Sequence, residues 1–153
     1  MPSRIIGFFL TNPSTSPTYT LTLLRLVLGT FFFSSGFNKV FTLHGQQVML
    51  ETITSAGIPF PSVMAVVVAS VECFGGLLLA FGLFSRLWAL GLMVISTVAL
   101  FTVGLGQIPG NTNFITWYSW FFYLPEPLYM VIALTLIIEG PGKLALDNVL
   151  ARK

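Results

Sequence analysis

The chain is short of charge, of cysteine and of histidine, and each shortage excludes a class of protein. Only 8% of its 153 residues are charged and 55% are hydrophobic, whereas a soluble domain carries roughly a quarter charged residues, so we predict a membrane protein. The single cysteine, Cys73, excludes an intramolecular disulfide and a Cys-x-x-Cys redox pair. The single histidine, His44, excludes a histidine-rich metal site within one chain, and no metal is predicted. No basic run exceeds Arg152-Lys153, so no nucleic-acid partner is predicted either.

Four apolar stretches predict an all-α membrane protein, a four-transmembrane-helix bundle embedded in the lipid bilayer. A helix needs about 20 residues to cross a bilayer. The predicted spans are Tyr19–Phe41, Pro61–Phe84, Leu87–Leu105 and an irregular fourth that ends at Glu139 and Gly140. The fourth span begins near Pro125, or the aromatic segment before it dips into the membrane first. An extra interfacial helix is predicted over Thr42–Ala56, between spans 1 and 2, because Gly57-Ile58-Pro59 breaks the pattern there.

The distribution of basic residues predicts the orientation of the chain. Residues 1–18 are expected to form an N-terminal cytoplasmic or interfacial tail, 19–142 the four-helix domain, and 143–153 a C-terminal cytoplasmic tail. With four spans, one side carries five basic residues and the other has Lys39 at most. Cytoplasmic loops carry the excess of lysine and arginine. Both termini are therefore expected on the cytoplasmic side of the cell (inner) membrane. The five basic residues are Arg4, Arg86, Lys143, Arg152 and Lys153.

A few charged residues lie inside the apolar spans. An ionised side chain at bilayer depth costs on the order of 3 kcal/mol or more unless it is paired or hydrated. Counting about 1.5 Å of rise per residue from the helix ends, we predict that Arg25 pairs with Glu72 and Lys39 with Glu126. Tyr129, one turn from Glu126, either hydrogen-bonds within this polar site or faces lipid.

Two interpretations of these charges remain open. The pairs fix helix register and packing, or they line a polar pocket that opens toward the outer leaflet and binds a small molecule or relays protons. Small residues at helical spacing let helix backbones approach closely in lipid. The predicted packing residues are Gly29, Gly36, Ala65, Ala69, Gly75 and Gly76.

Several motifs together resemble one family. They are Leu23-Leu24-Arg25-Leu26-x-Leu28-Gly29 through Gly36-x-x-Lys39, then Gly57-Ile58-Pro59, then Val71-Glu72-x-x-Gly75-Gly76-x-x-Leu79-x-x-Gly82-Leu83-x-x-Arg86, and finally Glu126 with Gly140-Pro141-Gly142-Lys143-x-x-Leu146-Asp147. Over roughly residues 20–148 the chain resembles the DoxX family of small four-helix membrane proteins. The resemblance implies a link to membrane redox systems, including a thiosulfate:quinone oxidoreductase subunit in a related branch, and to oxidative-stress complexes. Many members carry a histidine where Ser35 stands here, which weakens a proton-transfer role at that position.

Three function classes follow from these observations. The leading one is a membrane-embedded accessory protein that holds a quinone-like or other small apolar ligand, with Arg25, Glu72 and Glu126 at the polar end. A membrane redox partner protein or the ligand would then supply the chemistry, and the chain would be an oxidoreductase subunit with no redox group of its own. The alternatives are a structural or assembly factor for a membrane complex and a small-solute permease. With only four helices in each chain, a permease would require a homo-oligomer.

Overall fold

Helices make up most of the described part of the chain, residues 19–150 of the computed structural model. The predicted N-terminal tail, residues 1–18, lies outside the described residues, as do residues 151–153. In chain order the helices are α1 (Tyr19–Phe41), α2 (Leu43–Ser55), α3 (Pro61–Phe81), α4 (Ser85–Gln107), α5 (Phe114–Tyr123), α6 (Pro125–Glu139) and α7 (Leu146–Leu150).

Three of these helices, α1, α3 and α4, are each long and apolar enough to cross a membrane. The bent pair α5 and α6, which meet at 64° across a short break, passes the same test of length and hydropathy only when the two helices are taken together. The 15 residues of α6 rise about 22 Å, and the tilted α5 adds about 7 Å along the same axis. Together they match the ~30 Å hydrocarbon core. The predicted all-α membrane bundle is confirmed, with three long spans and the bent pair α5 and α6 in the region of the predicted irregular fourth span.

Leu124 causes the break between α5 and α6. It is extended, with φ −67° and ψ 140°, and it precedes Pro125. A residue before proline is disfavoured in the helical region, so α5 ends there. Pro125 then occupies the first turn of α6, where a missing N–H leaves no hydrogen bond unmade.

The extra helix between the first two spans is α2, close to its predicted bounds. The Thr42 hydroxyl caps it by accepting a hydrogen bond from the Gly45 N–H at 3.0 Å. Met49 and Ile53 are its buried residues, and they pack with Ala65 of α3. Because only Thr42 separates α1 from α2, this packing folds α2 back beside α3.

Close approach of helix backbones brings α1 and α3 together. A Cβ atom added at Gly36 would overlap the backbone of Cys73, and one at Gly76 would overlap the backbone of Phe33. The contacts run in opposite directions along the two helices, so α1 and α3 are antiparallel. The other predicted packing residues lie as follows: Gly29 against the α3 backbone, Gly75 against the Trp88 ring of α4, and Ala65 and Ala69 buried on α3.

Two of the spans contain a π-helical turn. In α3 it covers Val71–Gly75, and in α4 it covers Leu100–Gly104. Such turns insert one extra residue into a helix and are frequent at functional sites. Glu72 lies within the first turn, and Gly104, at the end of the second, lies beside the Glu126 carboxylate. Both acidic residues of the membrane-spanning interior are therefore associated with irregular backbone.

Candidate functional site

An ion pair between α1 and α3 borders a cavity, because its lysine is one of the residues that line it. The Lys39 Nζ lies 2.5 Å from the Glu72 Oε2. The Ser35 hydroxyl donates to the same oxygen at 3.4 Å. The Glu72 side chain is 6% exposed and that of Lys39 is 28% exposed. Glu72 is thus buried behind the lysine, and the lysine forms the accessible side of the pair.

The predicted pairing of charges is wrong on both counts, because Lys39 pairs with Glu72. The contact of Gly36 with Cys73 sets the register of α1 against α3. Lys39 lies one turn beyond Gly36 and therefore faces Glu72. Arg25 lies 14 residues before Lys39, about 21 Å away along the helix, which is beyond the reach of its side chain. The prediction compared the depths of the charged residues, counted from the helix ends, and did not take this register of α1 against α3 into account.

Arg25 instead binds the C-terminal segment. Its guanidinium donates to the Pro141 carbonyl at 2.9 Å and to the Leu144 carbonyl at 2.6 Å, and the residue is almost completely buried. The Thr22 hydroxyl, one turn earlier, accepts from the Lys143 N–H at 3.1 Å. We call residues 140–150 the C-terminal clasp, because these bonds hold it against the start of α1.

Asp147 is the centre of the clasp. It is fully buried, and its carboxylate accepts hydrogen bonds from the Phe84 N–H at 2.7 Å and the Ser85 N–H at 2.9 Å. Its own N–H donates to the Gly82 carbonyl at 2.9 Å. The carboxylate thus caps the N-terminus of α4, where an anion is favoured.

The clasp corrects the prediction that residues 143–153 form a tail. Within that range Ala145 and Asp147 are buried against the bundle, whereas most of the other described side chains are exposed. A Cβ atom at Gly82 would meet the Arg25 guanidinium and the Ala145 backbone, so this loop leaves room for the clasp. The sequence features that mark the clasp are the Gly140-Pro141-Gly142 turn and the acidic residue after it, Asp147. Their partners are more than 60 positions away, which spacing alone does not reveal.

Glu126 and Tyr129 lie apart from both of these sites. One carboxylate oxygen of Glu126 is buried without a hydrogen-bond partner, and no salt bridge to Glu126 is found within residues 19–150. The Tyr129 ring packs against Phe31 and Phe32, with centroids 4.5 and 5.4 Å away. The five residues predicted to share one polar pocket are therefore divided among three places in the bundle.

A groove lies beside the Lys39–Glu72 pair. It has a volume of about 310 Å³ and is formed by α1, α2 and α3, at the lower end of the range for small-molecule sites. Its wall is mostly apolar, and among the described residues Lys39 is the one charged side chain that lines it. Sequence reasoning missed the contribution of α2, because the packing of Met49 against α3 could not be inferred from spacing. The lining residues are Lys39, Val40, Gln46, Met49, Leu50, Ser62, Ala65, Val66, Ala69 and Ser70.

The fold and the groove define a multi-pass helical membrane protein with a ligand-sized recess between its first two spans. A family model described as DoxX matches residues 20–105, and the chain belongs to the DoxX family. It is similar to the "Putative oxidoreductase CatD" of Bacillus subtilis (strain 168), with 31% identity over 126 residues that cover 82% of each chain. No solved structure matches this chain.

Proposed function

We propose that this DoxX-family protein is an accessory component of a membrane redox system and binds a quinone-like ligand in the groove beside Lys39. The observation that carries the proposal is the position of Lys39, which lines an apolar groove of about 310 Å³ while paired with a buried carboxylate. The name of the Bacillus relative supports a redox association. The redox chemistry is assigned to the ligand and a membrane partner protein, since hydride and electron transfer are typically the work of cofactors that the protein binds and orients.

The hydrogen-bonding capacity of Lys39 favours a carbonyl ligand. An ammonium group has three N–H donors and no acceptor. One donor is engaged by the Glu72 carboxylate, which leaves two that can be directed into the groove. A quinone carbonyl oxygen is an acceptor of the required kind, and its ring fits against the apolar side chains of Met49 and Val66.

The charge of the pair favours a neutral ligand over an anion. Lys39 and Glu72 sum to zero charge, and the Glu72 carboxylate holds the lysine at 2.5 Å. An anion in the groove would be attracted by the lysine and repelled by the carboxylate behind it, in surroundings of low dielectric constant where both forces are strong. A neutral acceptor gains the hydrogen bond without that repulsion.

The binding test compares two lysine variants in lipid nanodiscs. A tailless substituted benzoquinone is titrated into the wild type, Lys39→Met and Lys143→Met, and the heat of binding is measured. Lys143 is the matched control, because its exposed side chain lies over the Tyr19 ring at the start of α1, at the end of that helix opposite to Lys39. A hydrogen bond to a charged group is worth about 1.5–3 kcal/mol, so Lys39→Met should weaken binding at least about tenfold. Lys143→Met should bind as the wild type does.

Lys39→Met also leaves Glu72 without its partner, so the double variant Lys39→Met/Glu72→Gln is measured as well. It removes both charges and preserves neutral packing. Weak binding by this folded double variant would assign the loss to the missing donor. An absence of saturable binding to the wild type would reject the ligand-binding proposal and favour a purely structural role for the pair.

The accessory role is tested in native membranes. In a strain lacking this protein, quinone-dependent respiration is measured after complementation with the wild type, Lys39→Met or Lys143→Met. We expect restoration by the wild type and Lys143→Met only. Full restoration by Lys39→Met at equal protein abundance would contradict the proposed role of the groove.

A further inference from the structure

We infer that the ligand of this groove is an amphiphile whose neutral head occupies the groove and whose apolar tail runs along a lipid-facing furrow between α1 and α3. The inference rests on the proposed function, since it extends the same site. It is carried by the aromatic side chains that continue the walls of the groove along both helices.

Beyond the lining residues of the groove, phenylalanine side chains follow in one direction on both helices. Val40 of α1 and Ser70 of α3 line the groove. On α1, Phe37 and Phe33 lie one and two turns before Val40, on nearly the same side of the helix. On α3, Phe74 lies one turn after Ser70. Because the two helices are antiparallel, both sets of phenylalanines lie on the same side of the groove, toward the middle of the membrane.

Between these two rows of phenylalanines, α1 and α3 touch through small residues. At this level Gly36 has no side chain, and it lies against the backbone of Cys73, whose own side chain is buried. Phe37 is 45% exposed and Phe74 is 51% exposed. The Phe33 and Phe37 ring centroids are 5.8 Å apart, so the two rings are neighbours along α1. We call this feature the furrow; from Val40 to Phe33 it extends about 10 Å along the helix.

The position of the groove suits the head of such an amphiphile. Lys39 lies two residues before the end of α1, about 3 Å along the helix, and so near the edge of the hydrocarbon core. The groove is open on its lipid-facing side, where Val66 and Leu50 are exposed. A polar head can thus enter from the membrane and reach the lysine while its tail stays among lipid chains. A volume of about 310 Å³ accommodates a head group and leaves a long tail outside.

The experiment maps the tail by photochemical labelling. The probe is a benzoquinone with an apolar tail at least about 10 Å long, the length of the furrow, and a diazirine midway along that tail. It is irradiated with the wild type, Lys39→Met and Lys143→Met in nanodiscs, and labelled residues are identified by mass spectrometry. We expect label on residues 33–41 and 66–74 of the wild type and of Lys143→Met. It should be suppressed by excess tailless benzoquinone and lost in Lys39→Met.

Phe101 of α4 provides an internal control, because it is 68% exposed on a different membrane-spanning helix. If Phe101 is labelled and excess benzoquinone does not suppress that label, the label reports random contact with probe dissolved in the lipid. One outcome would overturn the tail path and leave the proposed function intact. In it, the head binds saturably and depends on Lys39, but the label is spread equally over Phe101 and the furrow. Absence of any saturable, Lys39-dependent binding would reject the proposed function itself.

Discussion

Replacing Asp147 by alanine should unfold the C-terminal clasp and destabilise the whole bundle. The fully buried carboxylate accepts two backbone hydrogen bonds, at 2.7 and 2.9 Å, from the start of α4. A hydrogen bond to a charged group is worth about 1.5–3 kcal/mol, and a buried donor left without a partner costs a similar amount. Two such bonds predict a loss of about 3–6 kcal/mol in the free energy of unfolding.

The assay is chemical unfolding in detergent micelles, followed by circular dichroism. Asp147→Asn keeps one acceptor oxygen and should lose less than Asp147→Ala. Glu139→Gln is the control, because Glu139 is exposed at the end of α6 and an exposed substitution changes stability by about 0.5 kcal/mol or less. A loss below about 1 kcal/mol for Asp147→Ala would refute the assignment of Asp147 as the cap of α4.

Three further predictions concern packing, pairing and orientation. Lys39→Met and Glu72→Gln should each lower the melting temperature in detergent more than the double variant does, because Lys39→Met leaves the buried Glu72 carboxylate without its partner and Glu72→Gln leaves the half-buried lysine without its own; additive shifts would show that the two side chains do not interact. Gly36→Ala should destabilise the bundle by about 1–3 kcal/mol, since its Cβ would overlap the Cys73 backbone, whereas Gly106→Ala should be neutral because nothing lies within 4 Å of its Cβ. An alkaline phosphatase fusion at the C-terminus should be inactive, given the bias of basic residues; an active fusion would place that terminus outside.

The membrane architecture could be predicted because its signals are local. Each of the first three spans is marked by about 20 mostly apolar residues, and proline or glycine marks the breaks between helices. The extra helix α2 followed from the polar stretch before Gly57, and the irregular fourth span followed from Pro125 and its short apolar run. These features depend on neighbours within a few turns of the same helix.

The contacts between distant segments could not be predicted in the same way. The pairing of Lys39 with Glu72 depends on the α1–α3 register, which the contact at Gly36 sets to within one turn. Counting residues from uncertain helix ends is not accurate enough for that. Asp147 meets the start of α4 only because the chain turns back after Gly140, and nothing in the spacing of residues near Asp147 identifies its partners.

The most direct test of the ligand-binding groove is native mass spectrometry of the protein extracted from its own membranes without added ligand. We expect the wild type and Lys143→Met to carry a bound neutral molecule that dissociates on activation and shows a quinone-like absorption spectrum. The folded double variant Lys39→Met/Glu72→Gln should carry none. Equal amounts of the same molecule on the double variant, or a wild type that carries lipid alone, would contradict the assignment of this groove as the ligand site.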